Sequence, residues 1–146
     1  MPAASNVAVD AVPAVTLSQR LAQFAQGFEL AAVPPDVVTT ARHCILDALG
    51  IGLAASTFEF ARRSTAGVVA LAGAGDHAVI GSGLRLPARD AALLNGLLIH
   101  GLDYDDTHTG SVVHASASAV PVVLAEGMRH HASGARALAA YILAVE

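Results

Sequence analysis

The segment HGLDYDDTHTGSVVH, residues 100–114, concentrates the side chains of this chain that can transfer protons or bind ions. It holds three of the seven histidines and three of the twelve acidic residues. Burying such groups costs free energy unless they are paired or hydrogen-bonded, so a polar cluster in an apolar chain indicates a use for it. This segment is therefore the first place to look for a catalytic or binding site.

Acid–base chemistry is one interpretation of the segment. An imidazole such as that of His114 can take up or return a proton near neutral pH, a carboxylate such as Asp103 can orient it, and the Thr107 hydroxyl can donate to a substrate oxygen. Asp103 and Thr107 are four residues apart, so they share a face if the preceding helix continues, and a turn could otherwise bring them together.

Three other interpretations stay open. Imidazoles and carboxylates are also ligands for zinc, iron or manganese, although DYDDTH matches no metal motif. Asp105, Asp106 and Thr107 could simply satisfy backbone groups in a turn or helix cap. The glycine-rich GAGDHAVIGSG lacks the GK[ST] of a phosphate loop, and its glycines are best explained as turn residues. Asn95 and His100 lie just before the segment and could border a cleft.

Composition predicts closely packed helices around this segment. Hydrophobic residues make up 54% of the 146 residues, aromatic residues only 4%, and tryptophan is absent. The net charge of −4 disfavours nucleic acid and anionic membranes as partners. All eight basic residues are arginines, which excludes lysine chemistry by this chain alone. The single Cys44 allows no internal disulfide, no apolar run is long enough to span a membrane, and a cytoplasmic location is expected.

Periodicity and capping patterns predict an all-α fold with at most one short β-hairpin, near residues 77–86. We expect a flexible leader at residues 1–15 and a helical domain at 16–146. The first predicted helix begins at Thr16 with a capping box to Gln19, and the second runs from Pro35 to near Ala55. The third begins at Ser56 with a capping box to Glu59 and ends near Ala72. Three more helices are predicted to begin at Pro87, at a Ser118 cap and at about Ala135.

Specific side chains are expected at particular contacts. Leu93, Leu94, Leu97 and Leu98 are core candidates, and Gly50 and Gly52 predict the close approach of another helix. The last helix presents an apolar stripe of Leu138, Tyr141, Ile142 and Val145 with no following segment to cover it. We expect the chain to end in mid-helix and to associate through that stripe.

The segment NGLLIHGLDYDDTHTGSVVHASASAVPVVLAEGM resembles the signature region of the MmgE/PrpD family, which includes 2-methylcitrate dehydratase, cis-aconitate decarboxylase and iminodisuccinate epimerase. Tyr104 replaces a phenylalanine, and Ala115 stands where the family usually has proline. The resemblance extends over residues 16–146, the N-terminal part of the family's helical domain. The positions that match are Asn95, Gly96, His100, Leu102, Asp103, Asp105, Asp106, Thr107, His108 and His114.

The resemblance implies an enzyme, a dehydratase, decarboxylase or epimerase, that transfers a proton next to a carboxyl group of a small di- or tricarboxylate. It implies no metal and no organic cofactor. His114 is then the proton-transfer residue, and Asp103 and Thr107 also match active-site positions. Substrate-binding or orienting roles fall to His100, Asp106, His108 and Asn95.

Family members are about three times longer and bind substrate between two domains, using basic residues, notably lysines, from later in the chain. We therefore expect this chain to be inactive alone and to need a second polypeptide or self-association, as in a homo-oligomer. Arg85 and Arg89 are the basic residues nearest to the segment in sequence. An inactive fragment or helical interaction protein is the first alternative, and a His/Asp metal-binding helical domain is the second.

Overall fold

The structure is a computed structural model that describes residues 15–146. Those residues form six α-helices and one two-stranded antiparallel hairpin, so the predicted all-α class with a single hairpin is confirmed. All but the last residue of the predicted leader, residues 1–15, lies outside the described residues. The elements are α1 (Leu17–Gln26), α2 (Pro35–Ala55), α3 (Glu59–Leu71), β1 (His77–Ala78), β2 (Arg85–Leu86), α4 (Ala88–His100), α5 (Ala115–Arg129) and α6 (Gly134–Val145).

The first two helices begin where the sequence predicts. The Thr16 hydroxyl accepts from the backbone N–H of Gln19, and the Gln19 side chain accepts from the backbone N–H of Thr16, which confirms the capping box. Helix α2 has Pro35 in its first turn and ends at Ala55 as expected. The second capping box is wrong, because the Ser56 hydroxyl donates to the Leu53 carbonyl in the last turn of α2.

The start of α5 also differs from the prediction. The helix begins at Ala115, three residues before Ser118, and Pro121 lies inside it. Pro121 has no N–H for the carbonyl of Ala117, four residues earlier. That carbonyl faces Gly96 of α4, where an added Cβ would lie 2.9 Å from it. The proline therefore lies where α4 and α5 pack closely, and not near the helix start, where local rules would place it.

Helix α4 joins two hydrophobic clusters. Its Ile99 packs with α2, α5 and α6, while its Leu94 and Leu98 pack with α3 and the hairpin. Leu93 is 59% exposed, so its prediction as core is wrong; it lies on the opposite face of the helix. Of the two glycines of α2, only Gly52 lies against other elements, with Ile80 and Ile99 near it, and Gly50 has nothing within 4 Å.

The apolar stripe of α6 is covered within the chain. Leu138, Tyr141 and Ile142 are buried in the main cluster with α2 and α5, and only Val145 is substantially exposed. The prediction of an uncovered stripe is therefore wrong for three of its four residues. The reason is that α6 folds back onto α5, which directly precedes it, and onto α2, which lies far earlier in the sequence, and the local pattern does not reveal this.

The sequence predicts no apolar run long enough to span a membrane, but α2 has the length and composition to cross one: it has 21 residues, and an 18-residue window of it has a mean hydropathy of 1.3 with 17% of the window buried. Core helices of water-soluble proteins pass the same test. Arg42 and Asp47 lie in its middle turns, and the helix packs on α4, α5 and α6. We therefore describe α2 as a helix of the bundle.

Candidate active site

The polar segment 101–114 connects the end of α4 to the start of α5. His100 is the last residue of α4, and the N–H of Asp103 donates to its carbonyl at 2.8 Å. Asp103 has a φ of 55°, the left-handed conformation that aspartate tolerates better than most residues. An isolated bridge between His108 and Val113 closes the outer part of the loop. These contacts return the chain so that His114, at the start of α5, lies beside His100.

The carboxylate of Asp105 is the centre of the site. Its Oδ1 lies 3.1 Å from Nδ1 of His100 and 3.3 Å from Nδ1 of His114. The Asp105 side chain is 1% exposed, whereas the His100 side chain is 50% exposed and that of His114 is 23% exposed. A buried carboxylate is costly unless it is paired, and here the two imidazoles supply the pairing.

His114 has further polar neighbours on both of its ring nitrogens. Its Nε2 lies 3.7 Å from Oδ1 of Asp103, whose side chain is 79% exposed. The hydroxyl of Thr107 lies 3.5 Å from Nδ1 of His114, at the limit of a hydrogen bond, and 3.3 Å from the Asp105 carbonyl, to which it donates. The rings of His100 and His114 meet edge to face at 4.7 Å. The structure therefore brings together Asp103, Thr107 and His114, as well as His100.

This geometry favours one tautomer for each neutral imidazole. A carboxylate accepts hydrogen bonds, so Nδ1 of His100, which is hydrogen-bonded to Asp105, carries the proton, and the same tautomer suits His114, whose Nδ1 lies 3.3 Å from that carboxylate. Nε2 of His114 is then the nitrogen with a free lone pair, and it faces the exposed side of the site near Asp103. An oriented imidazole of this kind, held by a buried carboxylate, can act as a general base.

Three of the predicted substrate-binding residues lie outside this cluster. Oδ1 of Asp106 accepts from the N–H of Ser116, which caps the first turn of α5. His108 is exposed and bonds within its own turn, with Nδ1 2.7 Å from the Ser111 hydroxyl. The Asn95 side chain is buried; its oxygen accepts from the N–H of Ile80 and its amide donates to the Ala78 carbonyl. Its contacts therefore fix the hairpin to α4.

A buried polar pair lies behind the site. The hydroxyls of Ser116 and Tyr141 are 2.6 Å apart and join the first turn of α5 to α6. Burial raises the pKa of Tyr141 to about 12, and the hydrogen bond with Ser116 acts in the opposite direction. Tyr141 is therefore a neutral hydrogen-bonding group near physiological pH. Together with the Asp106 cap, this pair fixes the start of α5 and hence the backbone next to His114.

The arginines nearest in sequence do not reach the cluster. Arg85 donates to the Asp76 carbonyl beside the hairpin, and Arg89 pairs with Asp90 in the first turn of α4. Arg89 lies eleven positions before His100 in the same helix, about 16 Å along the axis. Within residues 15–146, the ion pairs of the cluster join its carboxylates only to its own histidines.

Asp105 is the residue whose importance the sequence did not reveal. It resembles a turn residue, and its neighbour Asp106 has the same side chain. The structure directs Asp105 to the histidines and Asp106 to α5. No local pattern distinguishes the two carboxylates, because the choice depends on how the loop packs against both helices.

Residues 19–146 match the sequence profile of the MmgE/PrpD N-terminal domain. The chain is similar to the cis-aconitate decarboxylase-like protein oryM of Aspergillus oryzae, with 26% identity over 116 residues. The aligned region covers 80% of this chain and 24% of the relative, so the chain spans about a quarter of the relative's length. With the family profile matched over residues 19–146, the chain belongs to the MmgE/PrpD family through its N-terminal domain.

Proposed function

We propose that this chain supplies one wall of the active site of an MmgE/PrpD-type enzyme, which transfers a proton next to a carboxyl group of a small di- or tricarboxylate. The observation that carries the proposal is the imidazole of His114, held by the buried carboxylate of Asp105 with Nε2 directed away from it. The family membership and the decarboxylase-like relative support the same reaction class. Dehydration, decarboxylation and epimerisation all include such a proton transfer.

Each side chain of the cluster has a distinct part in the proposal. His114 removes or returns the proton at the substrate carbon through Nε2. Asp105 orients the ring and stabilises the imidazolium that forms, without itself needing to take the proton. His100 shares Asp105 and borders the same opening, while Asp103 and Thr107 lie at the edges where a substrate oxygen or leaving group could receive a hydrogen bond.

The charge of the site supports the need for a partner. A di- or tricarboxylate would meet the carboxylates of Asp103 and Asp105, and binding several anions requires cationic or hydrogen-bond donors. Arg85 and Arg89 are engaged elsewhere. We therefore propose that the cations come from another segment or polypeptide, and that this chain alone does not turn over a polycarboxylate.

The test is an activity assay on citrate-like and aspartate-derived substrates that follows proton–deuterium exchange, dehydration and release of carbon dioxide. This chain is assayed alone and with the C-terminal part of an MmgE/PrpD enzyme supplied as a second polypeptide. We expect activity only in the mixture, and a loss of about 10²–10⁴-fold for His114→Ala. His130→Ala is the matched control, since His130 is exposed and pairs with Glu126 outside the site. Turnover by the chain alone would refute the need for a partner, and full activity of the His114→Ala mixture would refute the catalytic assignment.

A helical interaction protein is the alternative that one observation favours. Helix α1 has no buried residue and exposes Leu17, Leu21 and Phe24 along one face. Such a face could contact another polypeptide without any catalysis. Native mass spectrometry, combined with the activity assay, separates the alternatives: a complex that never turns over any substrate supports the interaction protein.

A further inference from the structure

We propose that His100, Asp103, Asp105 and His114 form a binding site for one divalent first-row transition ion, with Zn²⁺ as the first candidate, and that this ion blocks proton transfer. One donor atom from each of the four residues lies within 4.8 Å of all the others. Two imidazoles and two carboxylates are a donor set that suits zinc. The four residues come from both ends of the loop, so its folding has to assemble them.

Two of the separations between donor atoms match those around a single ion, and all four donor atoms lie within 4.8 Å of one another. Zinc binds imidazole nitrogen and carboxylate oxygen at about 2.0–2.2 Å, so neighbouring donors of a tetrahedral site lie roughly 3.3–3.5 Å apart. Oδ1 of Asp105 is 3.1 Å from Nδ1 of His100 and 3.3 Å from Nδ1 of His114. Both separations match those of adjacent ligands, so an ion bound to Asp105 and the two rings would replace the His100–Asp105 hydrogen bond and the His114–Asp105 ion pair.

Burial gives the site one fixed ligand and three adjustable ones. The Asp105 side chain is 1% exposed and is held between the two rings. The side chains of His100, His114 and Asp103 are 50%, 23% and 79% exposed, which leaves an entry path and room to adjust. The left-handed backbone of Asp103 and its N–H bond to the His100 carbonyl keep that flexible carboxylate next to the rings.

Charge also favours a cation over an anion here. With both imidazoles neutral, the four side chains carry two negative charges. Among the described residues, the cluster's ion pairs involve only its own histidines and no arginine. A divalent ion neutralises both carboxylates at once, which no single side chain of the cluster does.

The inhibitory part of the inference rests on the proposed function, whereas the binding part does not. An ion held by a nitrogen of His114 takes away the base or turns the ring out of its catalytic orientation. The same ion also replaces the contact between Asp105 and that ring. A bound ion and a working proton-transfer site therefore exclude each other.

Binding is tested on the full chain by calorimetric titration with ZnCl₂ and by the visible spectrum of added Co²⁺. We expect one ion per chain and an intense Co²⁺ spectrum typical of four-coordinate sites. His114→Ala and Asp103→Ala should each weaken binding by at least about 10–100-fold, the loss that follows removal of even an outer-shell partner of a metal ligand. Asp103→Ala keeps the test valid if other variants fold poorly, because this side chain is largely exposed. His130→Ala should bind as the unmodified chain does.

The site would be overturned if the chain does not bind Zn²⁺, or if Asp103→Ala and His114→Ala bind it as tightly as the unmodified chain does. Inhibition is tested separately in the two-polypeptide mixture: added Zn²⁺ should stop turnover and a chelator should restore it. A mixture that needs the ion for activity would overturn the inhibitory part and leave the binding site standing. If the mixture has no activity under any condition, the proposed function and the inhibitory part fail together, while the titration on the chain decides the site.

Discussion

Helix α1 has stronger local helix signals than α4, yet α1 buries no residue and α4 buries six. Helix α1 opens with a complete capping box and has a continuous apolar face. Helix α4 follows Pro87 without a side-chain cap, but it contacts α2, α3, α5 and the hairpin. The site is built at the end of α4. Capping and periodicity thus locate a helix, whereas long-range packing fixes the position of the polar side chains of the site.

The largest contrast is expected from leucine truncations in the two helices. Leu94 of α4 is fully buried, so Leu94→Ala should lower the free energy of unfolding by about 2–5 kcal/mol through lost burial and a cavity. Leu21 of α1 is 60% exposed, so Leu21→Ala should change it by less than about 0.5 kcal/mol. Urea unfolding followed by circular dichroism measures both. Similar losses for the two variants would show that α1 is packed against something in solution.

A second contrast compares two helical glycines. A Cβ added at Gly96 would lie 2.9 Å from the Ala117 carbonyl, so Gly96→Ala should push α4 from α5 and destabilise the chain by about 1–3 kcal/mol. Gly50 has nothing within 4 Å, so Gly50→Ala should stabilise α2 by up to about 1 kcal/mol through helix propensity. Thermal unfolding of the two variants gives the signs. A stabilising Gly96→Ala would contradict the close approach of the two helices.

Much of the fold was predictable because it depends on local chemistry. Pro35, the Thr16 capping box and the turn residues around the hairpin act within a few residues, and each marks an element correctly. One error is local, because the Ser56 hydroxyl donates to the Leu53 carbonyl instead of capping α3. Others involve contacts between helices: Pro121 lies inside α5 where α4 packs closely, and the stripe of α6 is covered by α5 and by the more distant α2.

The site was predictable in its location but only partly in its arrangement. The spacing of acidic and histidine residues indicated the loop, and His114, Asp103 and Thr107 do lie together. The sequence predicts no site role for Asp105, which it treats as a turn residue and a matching position, and it predicts Asn95 at a cleft, because it does not say which polar side chain faces a neighbour and which supports the backbone. Whether these residues bind substrate stays a prediction.

The buried pair of Ser116 and Tyr141 should make the stability of the chain depend on pH. The raised pKa of Tyr141, about 12, means that its stabilising effect is fully present below pH 10, where the unfolded tyrosine keeps its proton, and is lost as the pH rises towards 12. Tyr141→Phe removes the hydrogen bond with Ser116, so it should lower the free energy of unfolding by about 1 kcal/mol at neutral pH. Between pH 10 and 12, the free energy of unfolding of this variant should fall less steeply than that of the unmodified chain. The chain has no lysine to obscure this range.

Urea unfolding at several pH values measures the Tyr141 effect, with Tyr104→Phe as the control. Tyr104 is 81% exposed, so its removal should leave the alkaline loss of stability unchanged. An equally steep alkaline loss in the Tyr141→Phe variant would mean that another group causes it.

The last contrast compares the N-terminal caps of α1, which buries no residue, and α6, which is packed in the core, and it includes the smallest expected effect. Thr16 caps α1 and Ser133 caps α6, where its hydroxyl accepts from the N–H of Arg136 at 3.3 Å. Replacing either cap by alanine costs its helix about 0.5–2 kcal/mol. Helix α6 carries Leu138 and Tyr141 of the core, so Ser133→Ala should reduce global stability by about that amount.

Thr16→Ala should behave differently, because α1 buries no residue and its opening exposes little of the core. Global stability should fall by only a few tenths of a kcal/mol, while the amides of α1 exchange faster with solvent, as expected for a locally opening helix. Hydrogen exchange followed by mass spectrometry resolves α1 from the rest of the chain, and urea unfolding gives the global value. If Thr16→Ala reduces global stability as much as Ser133→Ala does, α1 is part of the cooperative unit, and its exposed leucines must be covered by contacts that form in solution.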